Sequence, residues 1–327
     1  MGRICVVPSC RESCLHDFRG AWEGTADWDR LLVIEDAPRR SFHLPDSAWH
    51  CSWHEIEEAL GDDAWIFSRR DSAIRAFGLL LAWRHGADLV VTLDDDCYPR
   101  AGLPICRAHE LAMRSHPRWV PSVPGMRTRG LPYRNLGELP VVANMGLWAG
   151  VPDLDAVQGL SDLGAATRGD YEPPAGSRVI PAGQYFPLCA MNLAIRREAI
   201  PLFYFPLMGQ GWPYRRFDDI WAGVLAKRAL DHLGWRISVG GPHITHVRAS
   251  DPFANLVKEA PGVAANETFW ELVDGIELRA RTAAGCMAEL GAGLAAAARR
   301  APRDDGDYLD RLGRALEVWA SLFGAGS

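Results

Sequence analysis

Three consecutive carboxylates, Asp94-Asp95-Asp96, follow the apolar, β-branched run Leu89-Val90-Val91-Thr92-Leu93. The run reads as a buried strand. Such a strand cannot end in three charges unless its C-terminal end reaches a solvent-facing rim, because unpaired charge in a core is expensive. At that rim, carboxylates can hold a hard divalent cation, Mn²⁺ or Mg²⁺, bound by one or two of them together with a substrate's phosphates. An acidic turn that only caps the next helix is the plainer alternative.

The chain before the triplet alternates strand and helix. Ile4 to Pro8, Leu31 to Ile34 (ending in Glu35-Asp36) and Ala64 to Phe67 read as strands, and Asp71 to Trp83 has helical spacing with Asp71 or Ser72 as N-cap. This alternation predicts an α/β fold: a Rossmann-like, mostly parallel sheet flanked by helices. Ligands in such folds bind outside the carboxyl ends of the strands, where Pro8-Ser9, Glu35-Asp36 and Asp94 to Asp96 converge. From about Pro121 to Pro187 the chain is rich in Gly, Pro and Arg and reads as a long irregular segment. Pro187 to Ile195 is another strand, and Phe217 opens a helix that stops at Gly234, with Asp218 and Asp219 complementing its N-terminal dipole. Trp235 to Val239 is followed by a turn at Gly240-Gly241-Pro242 and then by His243 to His246. From about Asn266 onward the pattern is helical.

These features divide the chain into a catalytic domain over 1–265 and a helical C-terminal extension over 266–327, read as a packing or oligomerisation element. The net charge of −6 and the lack of a basic stripe give no reason to expect nucleic acid. The longest apolar run, Ile200 to Met208, is too short to span a membrane and carries two prolines. Eight cysteines without a Cys-x-x-Cys pair read as reduced thiols, and the N-terminus enters a strand directly, so the expected location is the cytoplasm.

The acidic end of the second strand, the triplet, the later Asp pair and a late His resemble the layout of GT-A-type nucleotide-sugar glycosyltransferases. Ordered blocks sharpen that likeness: Asp71-Ser72-Ala73 with Arg75 and Phe77-Gly78; Asp94 to Cys97; Arg129-Gly130 with Pro132; Gly146-Leu147-Trp148 with Val151-Pro152-Asp153; Phe186 to Cys189 with Met191 to Ala194; Asp218 to Gly223; and His246 with Ala249-Ser250 and Pro252-Phe253. On these blocks the chain resembles the reversibly glycosylated polypeptide family, whose plant members act as UDP-arabinopyranose mutases. The resemblance covers roughly residues 4 to 270 and leaves the C-terminal tail outside.

The resemblance implies a UDP-sugar as partner and a divalent cation as cofactor. Asp36 would accept the uracil N3–H, and Pro8, Arg75, Asp94 and Asp95 would lie along the nucleotide. Asp94, Asp96 and His246 would hold the cation, with Asp95 turned to the other side. Asp218 and Asp219 would serve the sugar, one capping the helix and Asp218 touching the substrate. Arg129 matches the Arg-Gly-x-Pro context in which the family is glycosylated, and Arg134 is the second arginine. A guanidinium is protonated at physiological pH, so covalent capture needs a carboxylate such as Glu138, Asp218 or Asp219, whereas clamping phosphates needs none. Both readings stay open. Met145 stands where plant members carry His. The implied reaction is interconversion of a UDP-pyranose and a UDP-furanose; a UDP-sugar transferase or self-glycosylating protein, and a non-catalytic nucleotide-sugar-binding subunit, are the alternatives.

Overall fold

Near-continuous apolar strands need cover on both faces, and the sheet is built from them. The computed structural model describes every residue except 1, 103, 124, 127, 128, 162–168, 249, 301, 302 and 325–327, so Ala249 of the family blocks lies outside the described residues. Arg3–Ser9 (β1) pairs in parallel with Arg30–Glu35 (β2), which pairs in parallel with Trp49–Cys51 (β3). Leu89–Leu93 (β4) lies parallel to the other side of β1. Cys5, Val6, Val7, Leu32, Val33, Ile34, Val90 and Val91 are all fully buried.

The second half of the sheet mixes directions. Cys97–Pro99 (β5) follows the triplet, and His116–Pro117 (β6) pairs with Glu138–Leu139 (β7) in a separate ribbon. Val141–Gly150 (β8), Arg178–Val179 (β9), Asn192–Arg196 (β10) and Arg236–His246 (β11) complete the order β3-β2-β1-β4-β10-β8-β11-β5, with β9 beside β11. β10 runs antiparallel to β4 and β8, while β11 runs parallel to β8 and antiparallel to β5.

Helices α1 (Glu12–Trp22), α2 (Trp53–Leu60), α3 (Arg75–Arg84), α4 (Ile105–Ala112), α5 (Ala156–Ser161) and α6 (Asp218–Leu233) flank the sheet. Close approach of α3 to β1 depends on Gly78, where a Cβ would stand 2.4 Å from Val6 Cγ1. Helices α7 (Pro252–Asp274), α8 (Ala283–Ala298) and α9 (Arg303–Ser321) end the chain, and α7 runs straight through the expected boundary at 265/266. In α9, Trp319 packs on Phe67 and Tyr204 and donates from Nε1 to the Pro201 carbonyl at 2.7 Å, while Tyr308 donates to the Leu207 carbonyl at 3.0 Å. No described helix is long and apolar enough to cross a membrane.

Three local expectations are corrected. Ala64 to Phe67 is no strand: Gly61–Ile66 is a 3₁₀ helix, begun at Gly61 with φ +54° where α2 ends. Its Ala64 and Ile66 are buried as a strand's would be, and so short an apolar run fits either state. The irregular middle contains β8, a ten-residue strand disguised by Asn144, Gly146 and Gly150. Gly146 is there because a Cβ would stand 2.1 Å from Asn192 Nδ2 and 2.5 Å from the Pro242 oxygen. Finally, Gly240 to Pro242 makes a register shift inside β11, so His246 stays on the strand that begins at Arg236.

Candidate active site

The carboxyl ends of β1, β2 and β4 open into a cavity of about 480 Å³ lined by Pro8, Ser9, Arg11, Asp36, Asp71, Ser72, Asp94 and Asp95 among others. Asp36 ties two segments to this rim: it accepts from Trp53 Nε1 at 2.8 Å and from the Arg70 and Asp71 amides at 2.9 and 3.0 Å. A carboxylate offers about four lone-pair sites, so one is left for a ligand. Burial, followed by the charge of Asp218, pushes Asp71 up to about 8, and its side chain accepts from the Ala73 amide, capping the turn into α3.

The triplet's members face different ways. Asp95, 3 % exposed, accepts from Ser9 Oγ at 2.6 Å and is ion-paired with Arg11. Asp94 accepts from Arg75 Nη2 at 2.7 Å. Arg75 is itself 2 % exposed and spends its remaining donors on Thr92 Oγ1 and the Ala190 and Ser72 carbonyls, so it is a buried frame residue rather than a solvated helix arginine. Asp96 turns towards β11, where His246 pairs in register with Cys97. The His246 Nδ1 lies 2.8 Å from the Val151 carbonyl, an acceptor only, so Nδ1 carries a proton and Nε2 faces Asp96 Oδ1 at 3.8 Å. Burial and the neighbouring Asp94 push Asp96 up to about 6. Among the described residues no cluster of three or more His, Cys, Asp or Glu could hold a metal ion, so the expected set Asp94, Asp96 and His246 does not form one, although His246 and Asp96 approach each other to 3.8 Å.

A second cavity of about 290 Å³ adjoins the first, sharing Ser72 and Asp94. Its walls bring together blocks that are far apart in sequence: Met145 and Trp148 from β8, Asp153 after it, Cys189 before β10, Asp218 and Asp219 at the start of α6, and Glu259 from α7. Asp218, 3 % exposed, accepts from Ser72 Oγ at 2.9 Å. Asp219 accepts from the Ala190 and Ile220 amides at 3.1 and 2.9 Å. Burial raises the pKa of both carboxyls, Asp219 strongly, with Asp218 and Asp153 adding to it. Met145 accepts the Cys189 amide on its sulfur at 3.1 Å and, unlike a histidine, offers no proton.

Arg129 and Arg134 are exposed, lie between β6 and β7, and line neither cavity. Glu138, offered as a base for Arg129, is exposed and accepts from Ser115 instead. Arg11 and Arg216, which line the first and second cavities, were missed by sequence reasoning. Arg11 follows the end of β1 by two residues, a position that a converging-strand argument could have flagged; Arg216 owes its place to a left-handed backbone, φ +62°, which no residue type announces.

Residues 121–325 match the family described as reversibly glycosylated polypeptide. The chain belongs to the reversibly glycosylated polypeptide family. A pea (Pisum sativum) protein named probable UDP-arabinopyranose mutase 1 is 33 % identical over 81 % of this chain and 74 % of its own length. UDP-arabinopyranose mutase 1 of Arabidopsis thaliana is 30 % identical over 96 % of this chain and 90 % of its own length. The family match reaching residue 325 corrects the expectation that the tail falls outside the resemblance: the C-terminal helices are part of the family's sequence. Their role in packing against Phe67, Tyr204 and Leu207 explains why they go with the rest.

Proposed function

We propose that this chain is a UDP-sugar mutase of GT-A type, interconverting the pyranose and furanose forms of a UDP-linked pentose such as arabinose. The observation that carries the reading is the pair of cavities joined at Ser72 and Asp94, in a chain whose relatives are named UDP-arabinopyranose mutases. The nucleotide goes to the first cavity, with the uracil N3–H donating to the remaining lone pair of Asp36, and the sugar goes to the second. The diphosphate then lies at the junction, next to the acidic triplet.

His246 and Asp96, with Asp94 on the same rim, would hold a divalent cation such as Mn²⁺ or Mg²⁺ with help from the substrate's diphosphate. When bound, the cation supplies charge that neutralises the leaving diphosphate. Arg75 holds Asp94 in place. Cleavage of the anomeric C–O bond leaves a cation-like sugar, with the Asp153 side chain among the walls beside it. The buried Asp218 and Asp219, whose pKa values burial raises, act as the acid–base pair: a carboxylate takes the proton of the hydroxyl that adds to C1, and a carboxyl then gives a proton to the old ring oxygen as its bond to C1 breaks, leaving the isomeric cation-like sugar. The sugar then returns to the diphosphate.

A second reading, transfer through covalent capture on Arg129, is favoured by the sequence Arg129-Gly130-Leu131-Pro132. Incubation with UDP-arabinopyranose and Mn²⁺, followed by chromatography and intact-protein mass, separates the two. Conversion to UDP-arabinofuranose supports the mutase. A pentose adduct without that product supports transfer or self-glycosylation, and neither product nor adduct would sink both.

A further inference from the structure

Two side chains that line the second cavity carry donors with no acceptor among the described residues. Trp148 Nε1 is buried and has no hydrogen-bond partner. Unpaired buried donors are rare enough in folded proteins that each asks for a reason. Arg216 lines the same cavity, and only its Nε is engaged, donating to Glu259 Oε1 at 2.6 Å. The other cation of the cavity, Arg75, already has every nitrogen committed. Arg216 also sits at φ +62°, a conformation that costs energy for a non-glycine residue and concentrates at ligand-binding sites. Its partner Glu259 is 2 % exposed and anchored in turn by the Ala156 amide at 2.6 Å, so the guanidinium is aimed by a buried carboxylate.

We infer that Arg216 and Trp148 are the donors that read the oxygens of the sugar in the second cavity, with Glu259 as the positioning residue for Arg216. The inference rests on the proposed UDP-sugar reading and deepens it. The other walls are rich in carboxylates, which disfavours a second phosphate and suits a neutral polyol: its hydroxyls donate to Asp153 and Asp218 while its oxygens accept from the indole and from the two free Nη groups. A guanidinium fork spans two neighbouring oxygens at once, so Arg216 discriminates between sugars by the arrangement of adjacent hydroxyls.

The test is calorimetric titration of the full chain with UDP and, separately, with UDP-arabinopyranose, in Mn²⁺. Arg216→Asn removes the guanidinium while keeping a residue that tolerates the left-handed backbone; Trp148→Phe removes little beyond the indole and its N–H. Arg216→Asn is expected to weaken UDP-arabinopyranose by about tenfold or more and Trp148→Phe by about fivefold, each leaving UDP within about twofold of wild type. Glu259→Gln, which keeps the shape and loses the charge, gives a smaller loss confined to the sugar-bearing ligand. Unchanged affinity for UDP-arabinopyranose in both Arg216→Asn and Trp148→Phe overturns the inference, as does equal weakening of UDP and UDP-arabinopyranose. Wild-type protein that binds neither ligand overturns the proposed function itself, an outcome distinct from the other two.

Discussion

Arg75→Met tests whether the acidic rim is held by a buried cation. The substitution keeps the hydrophobic stem and removes a guanidinium whose four hydrogen bonds run from 2.7 to 3.2 Å, to Asp94, Ala190, Thr92 and Ser72. Breaking a fully buried ion pair costs about 3–5 kcal/mol, but the Asp94 side chain is 33 % exposed, so water screens its loss and the charge contributes nearer 1–2 kcal/mol. The neutral acceptors left in the interior, chiefly the Ala190 carbonyl, add about 1–2 kcal/mol. Relief from burying the guanidinium offsets part of this, leaving about 2 kcal/mol. Urea unfolding should therefore show a lower midpoint at unchanged slope, with Arg75→Lys recovering less than half because an ammonium cannot reach acceptors in several directions. A loss below about 1 kcal/mol for Arg75→Met would refute the argument that this arginine organises the rim.

Gly146→Ala should cost about 3 kcal/mol by the same assay, since the new methyl strikes Asn192 and the Pro242 carbonyl; near-neutral stability would contradict the close approach of β8 and β10. His109 is buried between Asn192 and Asn144, and burial pushes its pKa down to about 4. Between that value and about 6.5 the unfolded chain binds the extra proton, so stability falls as pH drops through this window, by on the order of 3 kcal/mol. His109→Gln should flatten that part of the pH–stability curve, and an unaltered curve would show that another group is responsible. Mn²⁺ should tighten UDP binding in wild type, and His246→Ala should abolish the increment while sparing binding in EDTA; an equal increment in the variant would remove His246 from the cation site.

Much of this architecture could be read from residue pattern, for a physical reason. β1, β2 and β4 are apolar runs whose polar residues begin where burial ends, so the rim formed by Pro8, Asp36 and Asp94 was visible in the sequence. Residues of several of the ordered family blocks, among them Trp148, Asp153, Cys189 and Asp218, also line the second cavity. What could not be read depends on contacts made in three dimensions. β8 looks like loop because its glycine serves a neighbour, Asn192, that lies far along the chain. Asp36 carries three donors from Trp53, Arg70 and Asp71 that no local motif implies. Arg216 enters the site through backbone conformation, whereas the Arg129 motif sits on an exposed segment.

The antiparallel register that sets His246 against Cys97 joins two positions separated by nearly half of the chain. Because that ladder fixes the spacing, exposed loop residues between β6 and β7 can change without disturbing the imidazole's approach to Asp96, whereas β8 and Val151, which hold β11 and the ring, cannot. A slip of one residue, by contrast, would turn His246 to the opposite side of the sheet. Two distant stretches of chain are thus kept in step by backbone pairing rather than by any side chain.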